Sequence, residues 1–275
     1  MSAGTGTGTG TGTASGTGTG APRTLTSTEF LVFYGITARG TLQQDELFRF
    51  MEGTGPQWWL PVSGMTREEF WRSHMHALVA RGTTVRILSG GCRPSDKVTV
   101  NHVIRHGRRP RPNRDPEYGF VDFLEVVRDA DGVVLADLTA NTVWVDFGGG
   151  TPKVAAQAPD GLDCPLEELP PVDPLPVMTE PLASSTFRWT SRECDVTNDH
   201  VSFPSYVERA ENAVADAGLT LPERPVWQGW YRYEFACDVR TTIRVCEVED
   251  GLLFGFCNED ERRPRVFVRL SDAGS

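Results

Sequence analysis

Val207, Ala210, Val214 and Ala217 recur at helical spacing behind a polar loop, Asp195-Val-Thr-Asn-Asp-His-Val-Ser, and Gly218 follows as a left-handed stop. The pattern predicts a helix over residues 204–217, begun at Ser202 or Phe203, with Pro204 in the first turn, where its missing N–H costs nothing. A strand pattern precedes the loop at 186–191, and four more follow the helix at 227–237, 241–249, 252–258 and 265–270. The earlier part of the chain reads in the same order. A strand covers 25–34, and a short helix over 43–52 carries Leu47, Phe48 and Met51 inward. Trp58, Trp59 and Pro61 read as an apolar loop, and a second helix opens with the capping box of Thr66 and Glu69 and stops at Gly82. Strand patterns then cover 83–88, 97–105, 118–128 and 133–146, the last two joined by the turn at Asp129-Ala-Asp-Gly.

Laying Leu42 on Val201 places Leu47 on Tyr206 and Glu52 on Glu211, so the chain is an internal duplication of one strand–helix–four-strand unit. This is an α+β class, each unit a curled antiparallel sheet wrapped around a helix, and two units can join edge strands into one continuous sheet. The first unit spans 23–153 and the second 184–275. The proline- and acid-rich stretch 154–183 reads as an extended linker, and the Gly-Thr repeat at 1–22 has no side chain large enough to bury and is expected to be disordered. The halves differ at one point: Asn198-x-His200 in the second stands where the first has Arg39-x-Thr41.

Composition narrows the function. Values of 39% hydrophobic and 23% charged residues are those of a globular chain, with no apolar run long enough for a membrane span. A formal charge of −10 argues against general nucleic-acid binding. The six cysteines have no CxxC spacing and no charged-then-apolar leader precedes them, so free thiols and a cytoplasmic location are expected. His74 and His76 are two apart on a predicted helix and point in different directions, so no metal site is expected. Nor does any cofactor motif appear: the Gly-Thr repeat lacks the Gly-Lys-Ser/Thr of a phosphate loop.

Asn198 and His200 precede a helix N-terminus, whose N–H groups and dipole favour developing negative charge. The alternative is a loop that only caps the helix. The residues Asp195, Asn198, His200, Val201, Tyr206 and Glu211, with the block Tyr231-Arg-Tyr-Glu234 and the nearby Asp238, resemble the signature of the double-hotdog acyl-ACP thioesterases. The likeness covers residues 28–270 in order and is specific only in the second half. The chain departs from the pattern in three places. Two residues, not one, separate Asp195 from Asn198; Phe235 stands where the family has a cysteine; and Ser202-Phe203 replaces a pair of asparagines.

The resemblance implies a tandem hotdog fold and hydrolysis of an acyl thioester carried on acyl carrier protein or CoA, in fatty-acid or polyketide metabolism. Such hydrolysis needs a base for water and donors for the oxyanion. The implied base is Glu234, with Asn198 and His200 polarising the carbonyl and Asp195 holding the loop or orienting His200. Strand alternation places Trp230, Arg232 and Glu234 on one face, and an apolar setting would raise the Glu234 pKa; the bland alternative is a salt bridge to Arg232 or Arg209. Tyr206, Glu211 and Trp230 are the expected substrate contacts. Arg108, Arg109 and Arg111 sit in a basic hairpin loop suited to steering an acidic carrier protein, or only to keeping a turn soluble. The other functional readings are a hydroxyacyl-thioester dehydratase on the same fold and a non-catalytic carrier-protein binder. Two fused units allow a monomer or a homodimer.

Overall fold

The computed structural model describes residues 23–194 and 200–274. The Gly-Thr tail lies outside them, as do Asp195 and Asn198. The elements of the first half are β1 (Arg23–Phe30), α1 (Gln44–Ser63), α2 (Arg67–His74), β2 (His76–Ile87), β3 (Lys97–Arg111), β4 (Arg114–Arg128) and β5 (Val134–Asp146). Two short strands, β6 (Lys153–Val154) and β7 (Glu167–Glu168), lie in the connecting stretch. The second half holds β8 (Ala183–Arg188), α3 (Phe203–Asp216), β9 (Pro225–Tyr231), β10 (Arg240–Val248), β11 (Gly251–Asn258) and β12 (Val266–Asp272).

The strands make one sheet in the order β1-β3-β4-β5-β2-β9-β12-β11-β10-β8, with β6 added to β5 and β7 to β3. Every pairing is antiparallel except β3 with β7. Read from its outer edge, each half has the same order, β1-β3-β4-β5-β2 matching β8-β10-β11-β12-β9, which is the duplication seen in the sequence. The halves join where β2 pairs with β9, from Gly82↔Trp230 to Arg86↔Val226. Leu42 and Val201, the residues that the duplication aligns, each form a lone antiparallel bridge just before their helix, with Ile36 and Cys194.

Alternation along β3 turns Val98, Val100, His102, Ile104 and His106 inward, and β4 contributes Phe120, Asp122, Leu124 and Val126 to the same buried face. Helices α1 and α3 lie against this concave side. The Phe48 ring meets Phe203 at 4.7 Å, and a single core unites Leu47, Val85, Tyr206, Val207, Trp227 and Val268 from both halves. A second core of Trp58, Trp59, Phe70, Phe120 and Trp144 forms under the distal part of α1.

Four expectations change. Helix α1 runs through Ser63, so Trp58, Trp59 and Pro61 are helical and not a loop. Gly53, Gly55, Pro56 and Pro61 read as breakers, yet burying Trp58, Trp59 and Val62 on one face outweighs their poor helix propensity. Helix α2 has the expected capping box but stops at Met75 in the left-handed region (φ 53°), and Gly82 lies instead at a bulge in β2. The strand expected over 227–237 ends at Tyr231. Part of the linker is fastened to the first half: β7 pairs with β3, Arg105 donates to Glu167, and Leu169 is buried.

His106 is buried in the first half. Trp144 Nε1 donates to its Nε2 at 3.3 Å, so the ring is neutral with its proton on Nδ1, 3.1 Å from Cys164 Sγ. Burial lowers the His106 pKa from 6.5 to about 4. The unfolded chain therefore binds this proton below pH 6.5 while the folded chain does not until about pH 4. The stabilisation is complete above pH 6.5 and falls away as the pH drops toward 4, by roughly 3 kcal/mol. Urea unfolding at pH 7.5 and pH 4.5 is expected to show a smaller pH-dependent loss for His106→Gln than for wild type. Equal losses in the two proteins would contradict this assignment.

Candidate active site

The segment that enters α3 is held by backbone pairing. His200 bridges Ala236, and the Val201 N–H donates to the Phe235 carbonyl at 2.8 Å. The chain that leaves β9 therefore runs antiparallel beside the entry to α3. This brings His200 Nδ1 to 3.0 Å from Glu234 Oε2, with both side chains partly open to solvent (43% and 39%). The ring's hydrogen-bonding logic is simple. A neutral His200 that donates through Nδ1 keeps a lone pair on Nε2, so it can accept a proton there but cannot donate one.

A disulfide between Cys194 and Cys237 ties the same two segments together (Cα–Cα 6.1 Å). This overturns the expectation of six free thiols and removes the support that those thiols lent to a cytoplasmic location; Cys92, Cys164, Cys246 and Cys257 are free. No helix among the described residues is long and apolar enough to cross a membrane, and no cluster of metal-ligating side chains occurs among them.

His200 and Glu234 stand at the opening of a cavity of about 340 Å³, within the usual range for small-molecule sites. The second half contributes Phe203, Tyr206 and Tyr231 to its wall. The first half supplies most of the remainder: Phe48, Met51 and Trp58 from α1, Leu78 and Ala80 from β2, and Phe120 and Ala140 from the sheet. The Tyr231 hydroxyl and Thr83 Oγ1 meet at 2.9 Å across the junction of the halves. Tyr206 is buried, with its hydroxyl beside the Phe235 backbone. Burial drives its pKa upward, so the phenol stays protonated and can only act as an O–H group at neutral pH.

The expected site residues separate into distinct groups. His200, Glu234 and Tyr206 come together at the cavity, while Asp195 and Asn198 lie outside the described residues. Because β9 ends at Tyr231, strand alternation does not extend to Glu234. Trp230 faces the other side of the sheet, packed with Leu253 and Phe267, and it is Tyr231 that lines the cavity. Glu211 does not line the cavity; it accepts from Gln44 of α1 at 3.4 Å, and burial raises its pKa.

The basic loop proves to be strand, since β3 runs to Arg111. Arg109 is buried, donating to Glu117 at 3.1 Å and to the carbonyls of Pro170 and Thr142. Arg111 lies 3.6 Å from the same glutamate, which leaves Arg108 as the exposed member of the three. The sequence reading missed Thr83, His102 and Asp122, which also line the cavity, and named Tyr231 only as part of a motif. For His102 and Asp122 a signal existed, because both stand at inward positions among apolar neighbours on paired strands.

No family model matches the sequence, and no curated protein matches it at the sequence level. Solved structures do match. An acyl-ACP thioesterase from Bacteroides thetaiotaomicron has a TM-score of 0.63 at 11% identity, over 90% of this chain and 97% of that one. The 12:0-ACP thioesterase from Umbellularia californica gives 0.64 at 14%, over 90% and 93%. The HtdX protein of Mycobacterium tuberculosis gives 0.52 at 12%, over 90% and 99%.

Two outcomes check this geometry. Thiol titration in denaturant is expected to find four reactive cysteines per chain before reduction and six after it; six before reduction would contradict the Cys194–Cys237 pair. Arg109→Met removes the arginine hydrogen-bonded to Glu117 and leaves it Arg81 at 3.7 Å and Arg111 at 3.6 Å, so it is expected to cost about 1–3 kcal/mol in urea unfolding, whereas Arg108→Met should fall within about 0.5 kcal/mol of wild type. Over the described residues, the chain has the tandem hotdog fold that these solved structures share.

Proposed function

We propose that the chain hydrolyses acyl thioesters to free acid and thiol. The observation that carries this reading is the His200–Glu234 pair at the mouth of a largely apolar cavity. Apolar walls suit an acyl chain, each buried methylene contributing about 0.8 kcal/mol. The carrier arm then remains in solvent with the thioester carbon beside the pair. The fold shared with acyl-ACP thioesterases supports the same reading.

In this mechanism Glu234 takes a proton from water as the water oxygen attacks the thioester carbon. His200, 3.0 Å from the carboxylate through Nδ1, orients the base, and its Nε2 edge is the group that would face the carbonyl. The oxyanion meets the Tyr206 hydroxyl and, in this proposal, the Asn198 amide, with Asp195 holding the loop. Collapse of the tetrahedral intermediate breaks the carbon–sulfur bond, and the departing thiolate takes the proton from Glu234. The carrier is acyl carrier protein or CoA. With Arg109 and Arg111 engaged by Glu117, Arg108 is the one of the three left exposed to steer an acidic carrier.

Thiol release from a panel of acyl-CoA and acyl-ACP substrates tests the reading. Wild type is expected to turn over, Glu234→Ala to lose about 10²–10⁴-fold in kcat, and Tyr206→Phe about 10²-fold. Release of no thiol from any acyl group, or an enoyl absorbance in place of thiol, would overturn hydrolysis. Undiminished turnover in Glu234→Ala would overturn the assignment of the base.

A further inference from the structure

The cavity's one buried ionisable pair among the described residues lies in the half that lacks the polar loop. His102, fully buried on β3, meets Thr54 Oγ1 of α1 at 2.6 Å through Nδ1 and Asp122 Oδ1 of β4 at 3.0 Å through Nε2. Both ring nitrogens are therefore used, and the imidazole holds the Asp122 carboxyl in one orientation. The second oxygen, Oδ2, has no hydrogen-bond partner among the described residues, and the Asp122 side chain retains 12% exposure on the concave face where it lines the cavity. Ala140 lies directly across from it on β5 and Phe120 two residues before it on the same face of β4, and neither side chain can donate a hydrogen bond.

A purely aliphatic chain passing this point would strip water from a carboxyl oxygen and return nothing, a penalty that buried polar groups impose when left unpaired. We infer that the cavity is built for an acyl chain that carries a hydroxyl group, which donates to Asp122 Oδ2 while the thioester lies at His200 and Glu234. The inference rests on the cavity being the acyl site. The first half then has a task of its own: it reads the chain while the second half carries out the chemistry.

The test compares straight-chain acyl pantetheine thioesters with isomers of the same length in which one hydroxyl is moved stepwise along the chain. Binding of the matching non-hydrolysable pantetheine thioethers is measured by calorimetry beside it. Wild type is expected to favour one hydroxyl position over the unsubstituted chain by about ten-fold in kcat/KM and in affinity. Asp122→Leu should abolish or invert that preference while improving the alkyl substrate. Asp122→Asn, which keeps the shape and the oxygen facing His102, serves where the leucine variant does not fold and should reduce the preference.

Thiol release with no preference for any hydroxyl position, or a preference that survives in these variants, overturns the inference and leaves hydrolysis standing. If no thioester is cleaved but the hydroxylated thioether still binds about ten-fold tighter, hydrolysis fails and the hydroxyl site stands.

Discussion

The antiparallel pairing of β2 with β9 is the constraint on which the site depends. A hotdog unit alone leaves an exposed sheet edge, and joining two units at these strands removes one edge from each. The consequence for function is positional. The join sets α1 beside α3, with Phe48 against Phe203, and it points Tyr231 at the end of β9 into the space under α1, where its hydroxyl meets Thr83. The His200–Glu234 pair belongs to the second half, yet most of the cavity behind it belongs to the first. Neither half alone contains both.

Duplication followed by divergence accounts for the difference between the halves. The first half has Arg39 and Thr41 where the second has Asn198 and His200. It also extends its helix to 20 residues, against 14 for α3. The extension carries Trp58 to the cavity wall and Trp59 into a second core with Phe70 and Trp144. In the second half, Cys194 is held by the disulfide to Cys237 and His200 by its bridge to Ala236. The first half therefore provides most of the cavity wall and the second the His200–Glu234 pair.

Much of this was legible in the sequence because it is periodic. The helical spacing of Val207, Ala210 and Val214 located α3, and the match of Leu42 to Val201 located the duplication, since both depend on which residues face the core. The rest depended on tertiary contacts that no local pattern encodes. Trp58 and Trp59 were read as loop because the nearby glycines and prolines dominate local propensity, whereas the buried face decides the helix. The resemblance implies Glu234 as the base, but strand alternation misplaces it, because β9 ends at Tyr231 and a loop pairing with residues 200–201 brings it to His200. Arg109 reads as surface charge in sequence, and only the fold reveals the buried Glu117 opposite it. The Cys194–Cys237 pair likewise spans 43 residues and leaves no spacing signature.

In the proposed mechanism the acyl chain runs from the His200–Glu234 pair into the space between α1 and the first half's sheet. A crystal structure with a non-hydrolysable acyl-pantetheine ketone tests it most directly. The carbonyl oxygen is expected within hydrogen-bond reach of the Tyr206 hydroxyl, the carbonyl carbon beside Glu234, and the chain between Met51 and Phe120. A chain lodged elsewhere, or a carbonyl remote from Glu234, would contradict it.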